Sequence, residues 1–96
     1  MMSTISQYRP SKRPSVKAVS KWNIVFEDTI DLSFFELNGF RYVMIERGYP
    51  FPDFYRVTFF ESDSKKSTKL FYGETAHRDT ERFVYDLGFR NVWGVL

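Results

Sequence analysis

Cysteine is absent from this chain, and disulfides, thiol nucleophiles and thiolate metal sites are excluded with it. A reducing, cytoplasmic setting is the expectation that follows. Histidine occurs once, as His77, and the five glycines are dispersed, so no glycine-rich loop exists to cradle a phosphate. No stretch approaches the ~18 apolar residues of a membrane helix, and no apolar run follows the N-terminal basic residues as a secretory signal requires. The expectation is a soluble, unexported protein.

Aromatic residues are plentiful by contrast. Phe (11), Tyr (6) and Trp (2) make up 20% of only 96 residues. A chain this short removes about 60 to 68% of its unfolded surface from water, while each aromatic side chain covers roughly 150 to 250 Å². The interior is expected to be too small for all of them, which leaves some on a surface or under a partner.

The net charge of +2 conceals a division. Up to Trp22 the charged residues are Arg9, Lys12, Arg13, Lys17 and Lys21, with no acid, giving +5; the remainder carries nine Lys and Arg against all twelve acids, giving −3. A domain that grips a nucleic-acid duplex ordinarily carries its positive charge on the folded body, and this body is acidic. Residues 1–20, rich in Ser, Pro, Lys and Arg, bury too little to offset their ordering entropy and read as a flexible basic arm. Residues 21–96 read as one α+β domain.

Within that domain, "KWNIVFED" alternates with the two-residue period of a half-buried strand. In "DLSFFELNGFRYVMIE" the Asn38-Gly39 pair predicts a two-residue hairpin turn, with Leu37 facing Phe40 and Glu36 facing Arg41. That register puts Phe35, Leu37, Phe40, Tyr42 and Met44 on one face and Leu32, Phe34, Val43 and Ile45 on the other. Both faces are apolar, so the hairpin is either covered on both sides or uses one side for a partner. "RGYPFPD" reads as a rigid loop, "FYRVTFFES" and "TKLFYG" as a second hairpin around the polar "DSKKS". In "ETAHRDTERFVYDLGF", Ala76, Thr80, Phe83, Val84 and Leu87 share a helical stripe. Gly88 stands where a left-handed cap belongs, with Phe89 reaching back to Val84. "RNVWGVL" reads as a last apolar strand. The sum is an antiparallel sheet of five or six strands with one helix near the C-terminus packed on it.

Motifs for chemistry are sparse. His77 stands in an "HRD" triplet without the glycine-rich and metal-binding partners of a kinase catalytic loop. A hydrolytic role would need Asp79 or Glu81 to orient it, which sequence proximity alone does not establish. Glu61, Asp63, Glu74 and Asp79 read as solvated turn and helix-start acids, and no metal-ligand spacing or cofactor motif is present. "NGFRYVMI" partly resembles the aromatic strand motif of RNA-recognition modules through Gly39, Phe40, Tyr42 and Val43, while Asn38, Arg41 and Ile45 depart from it. That fold needs a helix before the hairpin, and residues 28–32 are too few to supply one.

These features predict a small non-enzymatic binding or regulatory protein, without cofactor or metal, docking on another protein through Phe40, Tyr42, Tyr49 and Phe51. Inhibitors and accessory factors of nucleic-acid enzymes have this profile, the arm touching nucleic acid nearby. The alternative is a single-strand nucleic-acid binder, with bases stacked on the hairpin aromatics and phosphates held by Arg9, Lys12, Arg13, Lys17 and Lys21. A homodimer would also hide the second apolar face of the hairpin.

Overall fold

The computed structural model describes residues 13–31, 40–61 and 65–96, with the backbone alone at Phe40 and Glu61. Four strands, β1 (Lys21–Asp31), β2 (Phe40–Tyr49), β3 (Phe54–Glu61) and β4 (Lys65–Tyr72), form an antiparallel meander in the order β1-β2-β3-β4. One helix, α1 (Ala76–Asp86), follows, and then a 3-10 turn at Arg90–Val92.

Among the described residues the sheet therefore has four strands rather than the five or six read from the sequence. Two expectations account for the excess. Phe40 pairs with Asp31 instead of Leu37, and Tyr42 lies between Thr29 on β1 and Phe60 on β3. Both edges of β2 are thus occupied, by β1 and β3, and residues 32–37, where the expected hairpin partner falls, lie outside the described residues. The Asn38-Gly39 turn itself lies outside the described residues. The tail "RNVWGVL" is no strand either, because Arg90–Val92 coil into the 3-10 turn and Gly94 takes a φ of 82° that breaks any extended run. The second hairpin forms as read, and Lys65 and Lys66 belong to its return strand.

Register sorts the side chains onto two faces. Val43, Ile45, Tyr55 and Val57 point to the helix side, where Ala76, Val84, Phe89 and Val92 close a buried core over them. Phe83 of α1 packs edge-on to Phe59 at 5.3 Å and against Phe71 at 5.6 Å, tying the helix to β3 and β4. The helix ends as its sequence indicates. Gly88 has φ 109°, its N–H donates to the Tyr85 carbonyl, and the Phe89 N–H reaches the Val84 carbonyl at 3.3 Å, the pair of bonds of a Schellman cap. Arg41 adds a cation there, donating from Nη1 to the Leu87 carbonyl at 3.1 Å.

The other face has no helix on it among the described residues. One end is closed by a second, smaller aromatic cluster, in which fully buried Phe54 is ringed by Trp22 at 5.3 Å, Tyr72 at 5.8 Å and Phe51 at 6.3 Å. Residues 16–20, assigned to the arm by composition, run against this end. Val16–Ala18 form a 3-10 turn and the Ser20 N–H donates to the Tyr49 carbonyl at 2.9 Å. Val19 sits so close to Gly48 that a Cβ there would lie 2.9 Å from its Cγ2.

Candidate functional site

Beyond the Phe54 cluster the outer face is open among the described residues, and the ladder pairings define it row by row. Ile24, Glu46, Arg56 and Leu70 form one row; Glu27, Met44, Thr58 and Thr68 the next; Thr29, Tyr42, Phe60 and Lys66 the third. Strand alternation brings these residues to one side, and the antiparallel register brings them abreast. Between them lies a shallow groove of about 420 Å³, walled by Met44, Leu70 and Val16 and floored by Glu46, Arg56 and Thr58.

Its electrostatics are those of a neutralised surface. Glu46, only 8% exposed, accepts from Arg56 Nε at 2.8 Å, and the Arg56 guanidinium stacks over the Trp22 ring at 4.2 Å. The cation is thereby attracted to the electron-rich face of the ring. In the third row the Tyr42 hydroxyl donates to the Glu27 carboxylate and its ring meets Phe60 edge-on at 5.6 Å. Burial, the hydrogen bond to Glu27, and the charges of Glu27 and Glu46 push Tyr42 up to about 12. Tyr42 consequently stays a neutral donor throughout the physiological range. Arg56 and Lys66 balance Glu27 and Glu46, so the face carries apolar area without a field of one sign.

The four aromatics expected to make the contact do not share a surface. Tyr42 is half-buried in the outer face. Tyr49, 62% exposed, lies seven residues further along the same strand, where alternation sends it to the opposite side. It lines a hollow of about 380 Å³ with Asn23, Arg47, Pro50, Phe51 and Pro52, and the Tyr49-Pro50 bond is cis. Phe51 leans on Phe54 as part of the closing cluster, and the Phe40 side chain lies outside the described atoms. Of the expected phosphate contacts, Arg13, Lys17 and Lys21 are exposed, while Arg9 and Lys12 fall outside the described residues.

Trp22, Met44, Glu46, Arg56 and Leu70 were not distinguishable in the sequence as a set. Their only signal is parity within each strand, and parity identifies a shared face only once the pairing register is known. Trp93 is a second omission. It is 63% exposed, packs on Tyr85 at 5.5 Å, and borders a hollow of about 430 Å³ with Arg82 and Asp86. Arg90 lies over the same Tyr85 ring at 4.5 Å and donates to its hydroxyl.

His77 is exposed in the first turn of α1. The Asp79 carboxylate beside it accepts from Thr75 Oγ1 at 2.8 Å, and Glu81 is turned inward, accepting from the Leu96 N–H at 3.0 Å. Neither acid therefore orients the imidazole. Among the described residues no group of three His, Asp or Glu side chains could hold a metal ion, and no helix is long and apolar enough to cross a membrane. The chain matches no family model, no curated protein and no solved structure at a significant level.

Proposed function

We propose that this is a small non-enzymatic binding protein, working in the cytoplasm, that docks on a partner protein through the outer face of its sheet. One observation carries the reading: Met44, Leu70, Ile24 and Val16 line a face with no helix on it among the described residues, and the two charged groups on the groove floor, Glu46 and Arg56, are paired with each other. Such a face offers apolar contact area at a small desolvation cost. The stacked Trp22 and Arg56 pair lies at its margin, and Trp and Arg are the residue types that most often anchor protein interfaces. The contact set is thus revised from four scattered aromatics to one groove. Regulation or inhibition of a nucleic-acid enzyme fits if the exposed Arg13, Lys17 and Lys21 lie beside that enzyme's nucleic acid.

Direct binding of single strands is the weaker reading. Stacking platforms for bases are accompanied by cations that hold the phosphates, whereas the aromatic Tyr42 here holds the carboxylate of Glu27 against it. The readings separate in one experiment. Tagged wild-type protein, a Met44→Asp/Leu70→Asp variant and an Arg78→Glu variant on the exposed side of α1 are used for capture from the native host, with and without nuclease. The reading expects a protein partner that survives nuclease, is kept by Arg78→Glu, and is lost by about tenfold or more in Met44→Asp/Leu70→Asp. Capture that vanishes with nuclease supports the nucleic-acid reading instead. A partner kept in full by the groove variant removes the groove from the account.

A further inference from the structure

The two central strands each carry a half-buried arginine, and the two charges are treated differently. Arg56, on β3, is neutralised by Glu46 at 2.8 Å. Arg47, on β2, has no carboxylate partner among the described residues. What holds it is neutral: Nη2 donates to the Tyr55 hydroxyl at 2.9 Å, and the guanidinium lies 5.3 Å from the centre of the Tyr55 ring. Its Nε is buried without a hydrogen-bond partner. A guanidinium so placed has lost part of its hydration and gained no counter-charge, while Tyr55 fixes its orientation.

The register shows what surrounds it. Arg47 pairs with Asn23 of β1 on one side and Tyr55 of β3 on the other, and Lys21 pairs with Tyr49 two residues further along. Strand alternation brings Arg47, Asn23 and Tyr49 to the helix side of the sheet. Phe83 ties α1 to β3 and β4, and no residue of α1 lines the hollow of about 380 Å³ at this corner. Its walls are Tyr49, Pro50, Phe51 and Pro52, and Arg47 is its only charged group, with the Asn23 amide beside it. Lys21 and Asp53 are exposed and are not among the walls.

We propose that this hollow is a binding site for a small organic acid, one carboxylate carried on an apolar or aromatic body. The carboxylate supplies the charge that Arg47 lacks, through the Nη donors that Tyr55 leaves free. The Asn23 amide, opposite Arg47 on the neighbouring strand, donates to the same group. The body rests on the Tyr49 ring and the two prolines. A hollow of this volume is at the small end of ligand pockets and suits a single ring with its acid. One cation among apolar walls matches one negative charge; the second charge of a phosphate would lose water without gaining a partner. The site lies on the opposite side of the sheet from the Met44 and Leu70 groove, and it stands or falls independently of what docks there.

NMR titration of the isotope-labelled full chain with sodium phenylacetate, at constant ionic strength, tests the site, because the Arg47 Nε–H gives a signal of its own. Saturable shifts are expected at that signal, at the Asn23 side-chain amide and at the backbone amides of Gly48, Tyr49 and Phe51, with a Kd on the order of 1 mM for so small a probe. Phenylacetamide has the same shape without the charge, and it should bind about tenfold more weakly or worse. Inorganic phosphate should also bind more weakly than phenylacetate. Arg47→Gln should abolish the response, and Tyr49→Ala, at a side chain 62% exposed and outside the core, should weaken it several-fold. The comparison of acid with amide uses the wild-type chain, so it holds whether or not Arg47→Gln folds. Shifts absent from these residues overturn the proposal, as does an equal response to acid and amide, or phosphate binding more tightly than the acid.

Discussion

Glu46 sits 8% exposed on a sheet face that a carboxylate would ordinarily avoid. It is held there by Arg56 Nε at 2.8 Å, and Arg56 is in turn held by the Trp22 ring. Arg56→Ala should cost about 2 kcal/mol in urea unfolding, below the figure for a fully buried pair because the Arg56 side chain is 28% exposed. Adding Glu46→Gln to that variant should recover part of the loss, since the amide needs no counter-charge. Equal midpoints for the single and double variants would show that Glu46 does not depend on Arg56. At this scale the sequence was partly legible. The abundance of aromatics led to the expectation of rings left over at the surface; among the described rings only Tyr49 and Trp93 are exposed, and seven are spent on two clusters, around Phe83 and around Phe54. Residue type signals burial or exposure only on average, and which ring goes where is decided by register.

Register is a property of elements, and there the legible and illegible parts separate cleanly. Alternation within β2 told Tyr42 and Met44 from Val43 and Ile45, and the structure keeps that division, one pair outward and one in the core. The helix and its Schellman ending were legible because periodicity and a positive-φ glycine are local signals. The hairpin partner of β2 was not, since Asn38-Gly39 advertises a local turn while the strand that pairs with Phe40 ends at Asp31, a choice set by competition between distant segments. Nor was the seating of residues 16–20, whose composition suits a loose arm and whose Val19 is nevertheless fitted to Gly48. Gly48→Ala tests that fit. The added methyl collides with Val19 and Trp22, so the segment should lift from the sheet, with a loss of about 1 to 2 kcal/mol and faster tryptic cleavage after Lys17 and Lys21. Unchanged cleavage would mean that the segment is not held by this contact.

Taken whole, the molecule is a sheet with one face given to a helix and the other given to a small aromatic cluster and an open groove. The sequence led to the expectation of a face that meets a partner and placed the contact on Phe40, Tyr42, Tyr49 and Phe51; prominence in a proline loop made Tyr49 and Phe51 conspicuous, and both lie off the groove. Met44 and Leu70 were inconspicuous because two ordinary apolar residues on nonadjacent strands acquire meaning only when β3 sets them on either side of Thr58 and Arg56. The central claim is that this groove is where the partner lands. Site-specific photo-crosslinking in the native host reads it directly, with benzophenone side chains placed singly at positions 44, 78 and 93. The account predicts one protein adduct from position 44 and none from the solvent-facing helix position 78; an adduct from 78 or from the Trp93 hollow, with none from 44, contradicts it.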